Sequence, residues 1–472
     1  MTVRSLRPLL LLSVAFSSLL LATAAVAQSP AAVQEADRPP EGPTGDEPSP
    51  DAPLPGPELR DEASGQPPGA PTTEEQVDEL RRQVQILAEE VEKLRAGEPE
   101  AAPLTDQQHR ALGLAPSAAA TYRRTSQGVS LAGYGEMLLE NYAGEGESGA
   151  GGAPATRLDF LRAILYAGYR FNDRFLFNSE IEVEHAGEIS VEFAYIDYRV
   201  RDDLTLRGGM LLLPLGLVNE FHEPTVFIGA RRPETEQRIL PSTWRENGAG
   251  VLGSVGRVDY RVYLVNGLNA SGFSSAGLRG GRQKGMQARA ANMAVAARVD
   301  VTPIPGVFAG VGFYEGGSGQ DAVVAGGEQL DIGNTVGEVH AQAQLRGFDF
   351  RALYARAAVD DAGALSGALG LAADAPVAER MEGGYLQAGY DVLSQTASPV
   401  SLMPYVRLEH VDTQDRVPAG FTRDLSKDGS YTTIGVEVKP VPGIALKTEH
   451  QWIRNEAGTG RNQFNINLGY AF

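Results

Sequence analysis

The sequence predicts an all-β fold: a transmembrane antiparallel β-barrel of about sixteen strands, preceded by a disordered proline-rich spacer and a short coiled-coil helix. Three observations support this prediction. Between residues 129 and 472, apolar and polar side chains alternate in segments of about ten residues, the length that a tilted strand needs to cross a bilayer. Tight turns alternate with long polar links along the same region. The chain ends on one more alternating segment, "NQFNINLGYAF".

Residues 1–27 are predicted to be a signal peptide. Arg4 and Arg7 precede an apolar run, and residues 25–27 (AVA) form the small-x-small pattern of a cleavage site before Gln28. An uncleaved membrane anchor is the alternative, but the apolar run is barely long enough to span a bilayer and no basic cluster follows it. We therefore expect an exported protein that begins at Gln28.

The next segments are predicted to precede the barrel. Residues 28–71 contain mainly Pro, Gly, Ala and acidic residues, a composition typical of a disordered spacer. Residues 72–97 are predicted to form a periplasmic coiled coil, and residues 98–127 a polar connector. A lone amphipathic helix docked elsewhere is the alternative to the coiled coil, because three heptads are few. The heptad seam consists of Val77, Leu80, Val84, Leu87, Val91 and Leu94.

The barrel itself is assigned to residues 128–472. In the segment "RVDYRVYLVN", Val258, Tyr260, Val262 and Leu264 share one face, and Asp259 and Arg261 lie on the other. Links such as "NDR" and "RDD" are tight turns, whereas the intervening links are long and polar. A soluble β-sandwich, the alternative with the same alternation, would not show this difference between the two ends of its strands.

The final strand is predicted to pair with the first, so that no backbone edge is left unpaired in lipid. A terminal strand that ends on an aromatic residue also resembles the signal that the barrel-assembly machinery of bacteria recognises. The apolar face of this strand consists of Phe464, Ile466, Leu468, Tyr470 and Phe472.

The longest link, residues 214–250, is the candidate constriction loop. A long loop folded into a barrel of this size would narrow the lumen, and acids facing bases there would filter solutes by charge. The alternative is that these charges only solvate an external loop. Candidate residues in the loop are Glu220, His222, Glu223, Arg231, Arg232, Arg238 and Arg245, and candidates on the lumen wall are Arg162, Arg170, Arg207 and Arg261.

Composition and motifs exclude several functions. A formal net charge of -19 disfavours nucleic acid as a partner, because phosphate contacts need clustered basic residues. The absence of cysteine rules out a disulfide framework. The six histidines occur in no metal or nucleophile motif such as His-Glu-x-x-His or Gly-x-Ser-x-Gly. We therefore expect a non-enzyme without a cofactor or metal site.

The stretches "GYGEMLLENYAG" and "RILPSTWRENGAGVLG" resemble the outer-membrane porins grouped with the phosphate-selective porins O and P. The resemblance covers roughly residues 129–255. It implies a trimeric, water-filled channel for passive diffusion of small hydrophilic solutes or ions in the bacterial outer membrane, with its N-terminal region in the periplasm. The implied partners are copies of the same chain, outer-membrane lipid, the barrel-assembly machinery and small solutes or inorganic anions.

The resemblance raises anions such as phosphate as solutes, but phosphate selectivity in that family depends on ladders of Arg and Lys. Lysine is scarce here, and acids share the predicted lumen face with the arginines. We therefore expect a mixed-charge pore of modest selectivity. Two other functions stay open: a structural anchor that tethers the membrane to the cell wall, and a barrel enzyme.

Overall fold

The computed structural model describes residues 82, 103–149 and 151–472. It confirms the predicted fold class: sixteen antiparallel strands form one closed barrel. The predicted signal peptide, spacer and coiled coil, with all six seam residues, lie outside the described residues, apart from the helical Arg82. Among the described residues, no helix has the length and apolar character needed to cross a membrane.

The barrel strands follow one another along the chain from Gly128 onward. The strands are β1 Gly128–Tyr142, β2 Arg157–Arg170, β3 Phe175–Glu184, β4 Glu188–Arg201, β5 Leu204–Leu212, β6 Arg245–Val255, β7 Val258–Asn266, β8 Met293–Ile304, β9 Val307–Gly317, β10 Val324–Ala325, β11 Glu328–Gln329, β12 Gly333–Leu345, β13 Phe348–Val359, β14 Arg380–Tyr390, β15 Ser401–Arg416, β16 Asp428–Val441, β17 Ile444–Asn455 and β18 Gln463–Ala471. The short β10 and β11 pair with each other outside the barrel sheet.

Between residues 103 and 472, the described part of the chain contains four α-helices besides the strands. They are α1 Asp106–Leu112, α2 Ala120–Arg123, α3 Glu234–Arg238 and α4 Ala362–Ala368, and three-residue 3-10 helices cover Ala270–Gly272, Arg279–Gly281 and Leu425–Lys427. Helix α1 begins with a capping box formed by Thr105 and Gln108 and ends at Gly113. Gly113 has a left-handed φ of 66°, the conformation that favours glycine at a helix C-terminus.

The barrel closes between its last and first strands, as predicted. Strand β18 pairs with β1 from Ala471 opposite Tyr134 to Gln463 opposite Tyr142. The terminal Phe472 donates its N–H to the Gly133 carbonyl at 2.9 Å and accepts from the Gly133 N–H at 2.9 Å. Hydrogen bonding at this seam therefore continues to the last residue, and the sixteen described barrel strands have no open edge.

The side chains alternate between the outer wall and the lumen. Phe464, Ile466 and Leu468 are exposed on the outside, whereas Asn465 and Asn467 are fully buried inside. In β7 the exposed Val262 and Leu264 likewise flank residues that point inward. An apolar outer wall and a polar lumen are the distribution of side chains expected for a β-barrel with lipid outside and water inside.

Two segments fill much of the lumen. The link 213–244 between β5 and β6 folds inward, and the connector before β1 lies against inward-facing strand residues. In the connector, Leu114, Ala118, Ala119 and Thr121 are buried. The sequence indicates a polar link at these positions, and their packing inside the barrel is a feature of the three-dimensional structure alone.

Candidate functional site in the lumen

The inner loop, residues 213–244, is closed at its base by hydrogen bonds around Asn219. The Asn219 Nδ2 donates to the Leu213 carbonyl at 2.8 Å and to the Trp244 carbonyl at 3.0 Å, and the Trp244 N–H donates to Asn219 Oδ1 at 2.6 Å. Trp244 is fully buried. The predicted bounds of 214–250 extend too far, because residues 245–250 pair with β5 and β7 as part of β6.

The inner loop crosses the lumen and contacts strands on several sides of the barrel. The Thr235 N–H donates to Glu409 of β15 at 2.6 Å, and the Ala230 N–H donates to Glu449 of β17 at 2.9 Å. Lys447 of β17 donates to a loop carbonyl, that of Phe227, at 2.7 Å. Carboxylates and an ammonium group on the wall therefore satisfy loop backbone groups, which would be costly to bury without partners.

One charged network lies on the side of β7 and β8. Arg261 lies 3.0 Å from Asp300 and 3.5 Å from the loop residue Glu220, and Arg298 Nε lies 2.8 Å from Asp300. His340 Nε2 lies 2.7 Å from Asp300. Burial raises the pKa of Glu220, although Arg261 and Arg298 oppose the shift. The predicted candidates Glu220 and Arg261 thus meet in one buried network of both signs.

A second group surrounds the loop residue His222. Its Nε2 lies 3.2 Å from Glu180 Oε1 of β3 and 3.0 Å from Glu192 Oε2 of β4, and its Nδ1 lies 2.8 Å from the Asn219 carbonyl oxygen. Burial alone would lower the pKa of His222, but the two carboxylates outweigh it and raise the pKa to about 10. The sequence indicated His222 but not its contact with these two wall carboxylates.

Of three further candidates, Arg231 connects the inner loop to the barrel wall, whereas Arg238 and Arg232 form contacts within the loop. Arg231 lies 3.3 Å from Glu140 of β1, and Arg238 lies 2.7 Å from Glu234. Arg231 and Arg238 outweigh the effect of burial and lower the pKa of Glu234. Arg232 donates to the Thr243 hydroxyl at 3.0 Å.

The connector meets the inner loop at Glu223. The N–H groups of Ser117 and Ala118 both donate to Glu223 Oε1 at 3.0 Å. The wall residue Arg207 donates to the Leu112 carbonyl of the connector at 2.9 Å and pairs with Asp197 at 2.8 Å. Arg207 therefore holds the connector, and the residues 103–127 and 213–244 form one interior structure.

A cavity of about 430 Å³ lies on the side of the inner loop that faces the long links. Arg162 of this cavity pairs with Glu136 at 3.0 Å and Glu182 at 3.1 Å. Basic groups exceed acidic groups in its lining, which includes Arg162, Glu182, Glu184, Glu188, Glu192, Arg232, Arg245, Arg279, Arg282 and Lys284. The predicted Arg170 lies elsewhere and pairs with Asp173, 3.2 Å away in the β2–β3 turn.

Two arginines of this cavity come from the long link 267–292 and are not among the candidates that the sequence predicts. Arg279 donates to the Gln237 carbonyl at 3.3 Å, and Arg282 donates to the Pro241 carbonyl at 3.0 Å. Burial, together with the neighbouring Arg279 and Arg245, lowers the pKa of Arg282 to about 9. No local pattern in the sequence links these residues to the inner loop, because the contact is formed only by folding.

No family model matches the chain. A protein of Aquifex aeolicus (strain VF5), described as an uncharacterized protein, is 35% identical over 359 residues, which cover 72% of this chain and 78% of that protein.

Among solved structures, OmpF of Salmonella typhi in complex with daunomycin is 12% identical, with 73% of this chain and 97% of that chain covered and a TM-score of 0.49. The anion-selective porin of Comamonas acidovorans is 10% identical, with 74% and 100% covered and a TM-score of 0.49. OmpT of Vibrio cholerae is 11% identical, with 74% and 99% covered and a TM-score of 0.47.

Proposed function

Since this chain belongs to the same family as the uncharacterized Aquifex aeolicus protein and forms a closed sixteen-stranded barrel, we propose that it is an outer-membrane porin. It forms a channel for passive diffusion of small hydrophilic solutes or ions and catalyses no reaction. The observation that carries the proposal is the inner loop, which crosses a charged lumen beside a cavity of about 430 Å³.

The channel discriminates modestly by charge. Buried arginines of the lumen have carboxylate neighbours, as Arg261 and Arg298 have Asp300, so the wall presents both signs. The basic excess in the cavity on the other side of the inner loop supports entry of anions, including phosphate, without a continuous basic path through the lumen.

The outer wall supports a place in the outer membrane, because large apolar side chains such as Leu131, Leu158 and Leu386 are exposed on it. The resemblance of the first strands to trimeric porins supports a homotrimer with a periplasmic N-terminal region. The aromatic residue at the end of β18 supports recognition by the barrel-assembly machinery, and the predicted coiled coil would assist trimer assembly.

Planar-bilayer conductance of the mature protein in potassium chloride tests this function. A heat-dependent change of electrophoretic mobility first establishes that the barrel is folded. We expect ion-conducting steps that close in threes, with a finite reversal potential in a salt gradient and partial block by phosphate. The porin proposal would be overturned if the folded barrel conducts no ions either in its unmodified form or after removal of residues 220–240. Strong preference for phosphate over chloride would overturn the modest selectivity.

A further inference from the structure

We propose that Glu180, Glu192 and His222 form a binding site for one divalent transition-metal ion that fastens the inner loop to the barrel wall. One ligand atom from each residue lies within 4.8 Å of the other two. All three side chains are buried, with at most 2% of each residue exposed. One imidazole nitrogen and two carboxylate oxygens form a donor set that suits Mn²⁺, Fe²⁺ or Zn²⁺.

A β-bulge places Glu192 in this position. In the pairing of β3 with β4, Glu180 lies opposite Phe193 and Ile181 lies opposite Val191, so that Glu192 is the additional residue. Consecutive residues of a regular strand point to opposite faces, but Glu192 and Phe193 are both buried, with exposures of 2% and 1%. The bulge thus directs Glu192 into the lumen beside Glu180, as bulges near functional sites do.

The surrounding hydrogen bonds orient the ligand atoms. The His222 Nδ1 lies 2.8 Å from the Asn219 carbonyl oxygen, and an N–H at this position leaves Nε2 free to coordinate a metal. Arg245 donates to Glu192 Oε1 at 3.2 Å, which leaves Oε2 directed toward His222. Asn219 is itself fixed at the base of the inner loop. The imidazole and one carboxylate are therefore held in place before a metal binds.

Several buried oxygen atoms at this point accept no hydrogen bond from the part of the chain that the structure describes. Glu180 Oε2, Glu192 Oε2 and the Tyr134 hydroxyl make no hydrogen bond to any residue that the structure describes. Tyr134 is 1% exposed, and its ring centroid lies 6.0 Å from that of His222. Glu192 Oε2 lies 3.0 Å from the imidazole nitrogen without hydrogen-bond geometry. Oxygen atoms buried without partners are costly, and a cation would satisfy them.

The local charge also favours a dication. Two buried arginines, Arg162 and Arg245, form ion pairs here. The buried carboxylates that surround them are more numerous: Glu136, Glu180, Glu182 and Glu192. A proton on His222 would compensate one of the excess charges, whereas a divalent ion bound to neutral imidazole would compensate two. Glu192 also lies at the edge of the cavity of about 430 Å³.

Titration of the folded mature protein with Co²⁺ tests the site, with metal-depleted buffers and visible absorption as the readout. We expect one Co²⁺ per chain with ligand-field bands. Binding should weaken by about a hundredfold in His222→Gln and Glu192→Gln, since each removes a ligand atom. The control is Glu188→Gln, which alters an exposed acid of the same cavity and should bind Co²⁺ like the unmodified protein.

Heat-dependent mobility on electrophoresis identifies variants that fold, and Glu180→Gln replaces any ligand variant that does not. The proposal is overturned if the folded unmodified protein shows no ligand-field bands, or if the ligand variants bind Co²⁺ as tightly as Glu188→Gln. Because metal binding is measured without ion flow, its failure is distinct from a failure of the porin proposal.

Discussion

Replacement of Glu236 by Gln should remove a pH response of the inner loop. Glu236 lies in α3, is fully buried, and accepts from the Tyr385 hydroxyl at 2.6 Å and from the Val218 N–H at 2.7 Å. Burial raises its pKa to about 7, a shift to which Glu338 of β12 adds and which the two hydrogen bonds and His340 oppose. Glutamine has nearly the same shape but does not titrate.

The magnitude follows from the difference in proton affinity between the docked and undocked loop. The pKa of the Glu236 carboxyl is about 7 when the loop is docked, against an ordinary pKa of 4.5. The docked loop binds the proton more tightly, so docking is most stable below pH 4.5, weakens as pH rises toward 7, and is constant above that value. The difference corresponds to about 3 kcal/mol, or a change of roughly two- to three-hundredfold in the docking equilibrium.

Single-channel recording at about pH 5 and about pH 8 provides the assay. In the unmodified protein, we expect more frequent transitions between conductance levels at the higher pH, because the inner loop undocks more often. Glu236→Gln should behave at both pH values like the unmodified protein at low pH. An equal pH response in Glu236→Gln and in the unmodified protein would refute the role of this carboxyl. The exposed variant Glu188→Gln, tested in parallel, should retain the response.

Three further predictions concern other parts of the molecule. Gly113→Ala should destabilise the connector by about 1–3 kcal/mol and speed its proteolysis, because the added Cβ would clash with the carboxylate of Glu220 in the inner loop. Gly149→Ala, which is also at positive φ but has open space around it, should leave the connector unchanged. Phe472→Ala should lower the amount of folded protein in the outer membrane by about threefold, as measured by heat-dependent mobility on electrophoresis. Arg282→Gln should lower the anion-to-cation permeability ratio, measured from reversal potentials, by about twofold, and Arg257→Gln in an exposed turn should leave it unchanged.

The barrel could be predicted because lipid and water impose a period of two on every strand. Val262 and Leu264 are exposed on the outer wall and Arg261 is buried in the lumen, as the alternation indicates. Where the backbone departs from regular pairing, the alternation misleads. Continued one residue past β12, the alternation would place Arg346 on the lumen face, but Arg346 lies exposed in a tight turn with φ of 52°.

The interior was less predictable because its contacts join residues far apart in the chain. The bulge at Glu192 leaves no sequence signal, since an acid followed by Phe193 is also what a regular strand would show. The composition of the connector indicates a polar link, although its scattered apolar residues, such as Leu114 and Ala118, pack inside the barrel. Charged residues of 214–250 could be identified as candidates, but their wall partners depend on the register and on the path of the loop.

The two hydrogen bonds from Ser117 and Ala118 to Glu223 have a mechanical consequence. They join the chain that enters the barrel to the inner loop that crosses it. A pulling force on the chain before Thr105 would reach the loop through these two amide groups and would be resisted mainly where Arg207 holds Leu112. Tension in the N-terminal region would therefore act first on the wall strand that carries Arg207 and only afterwards on the inner loop.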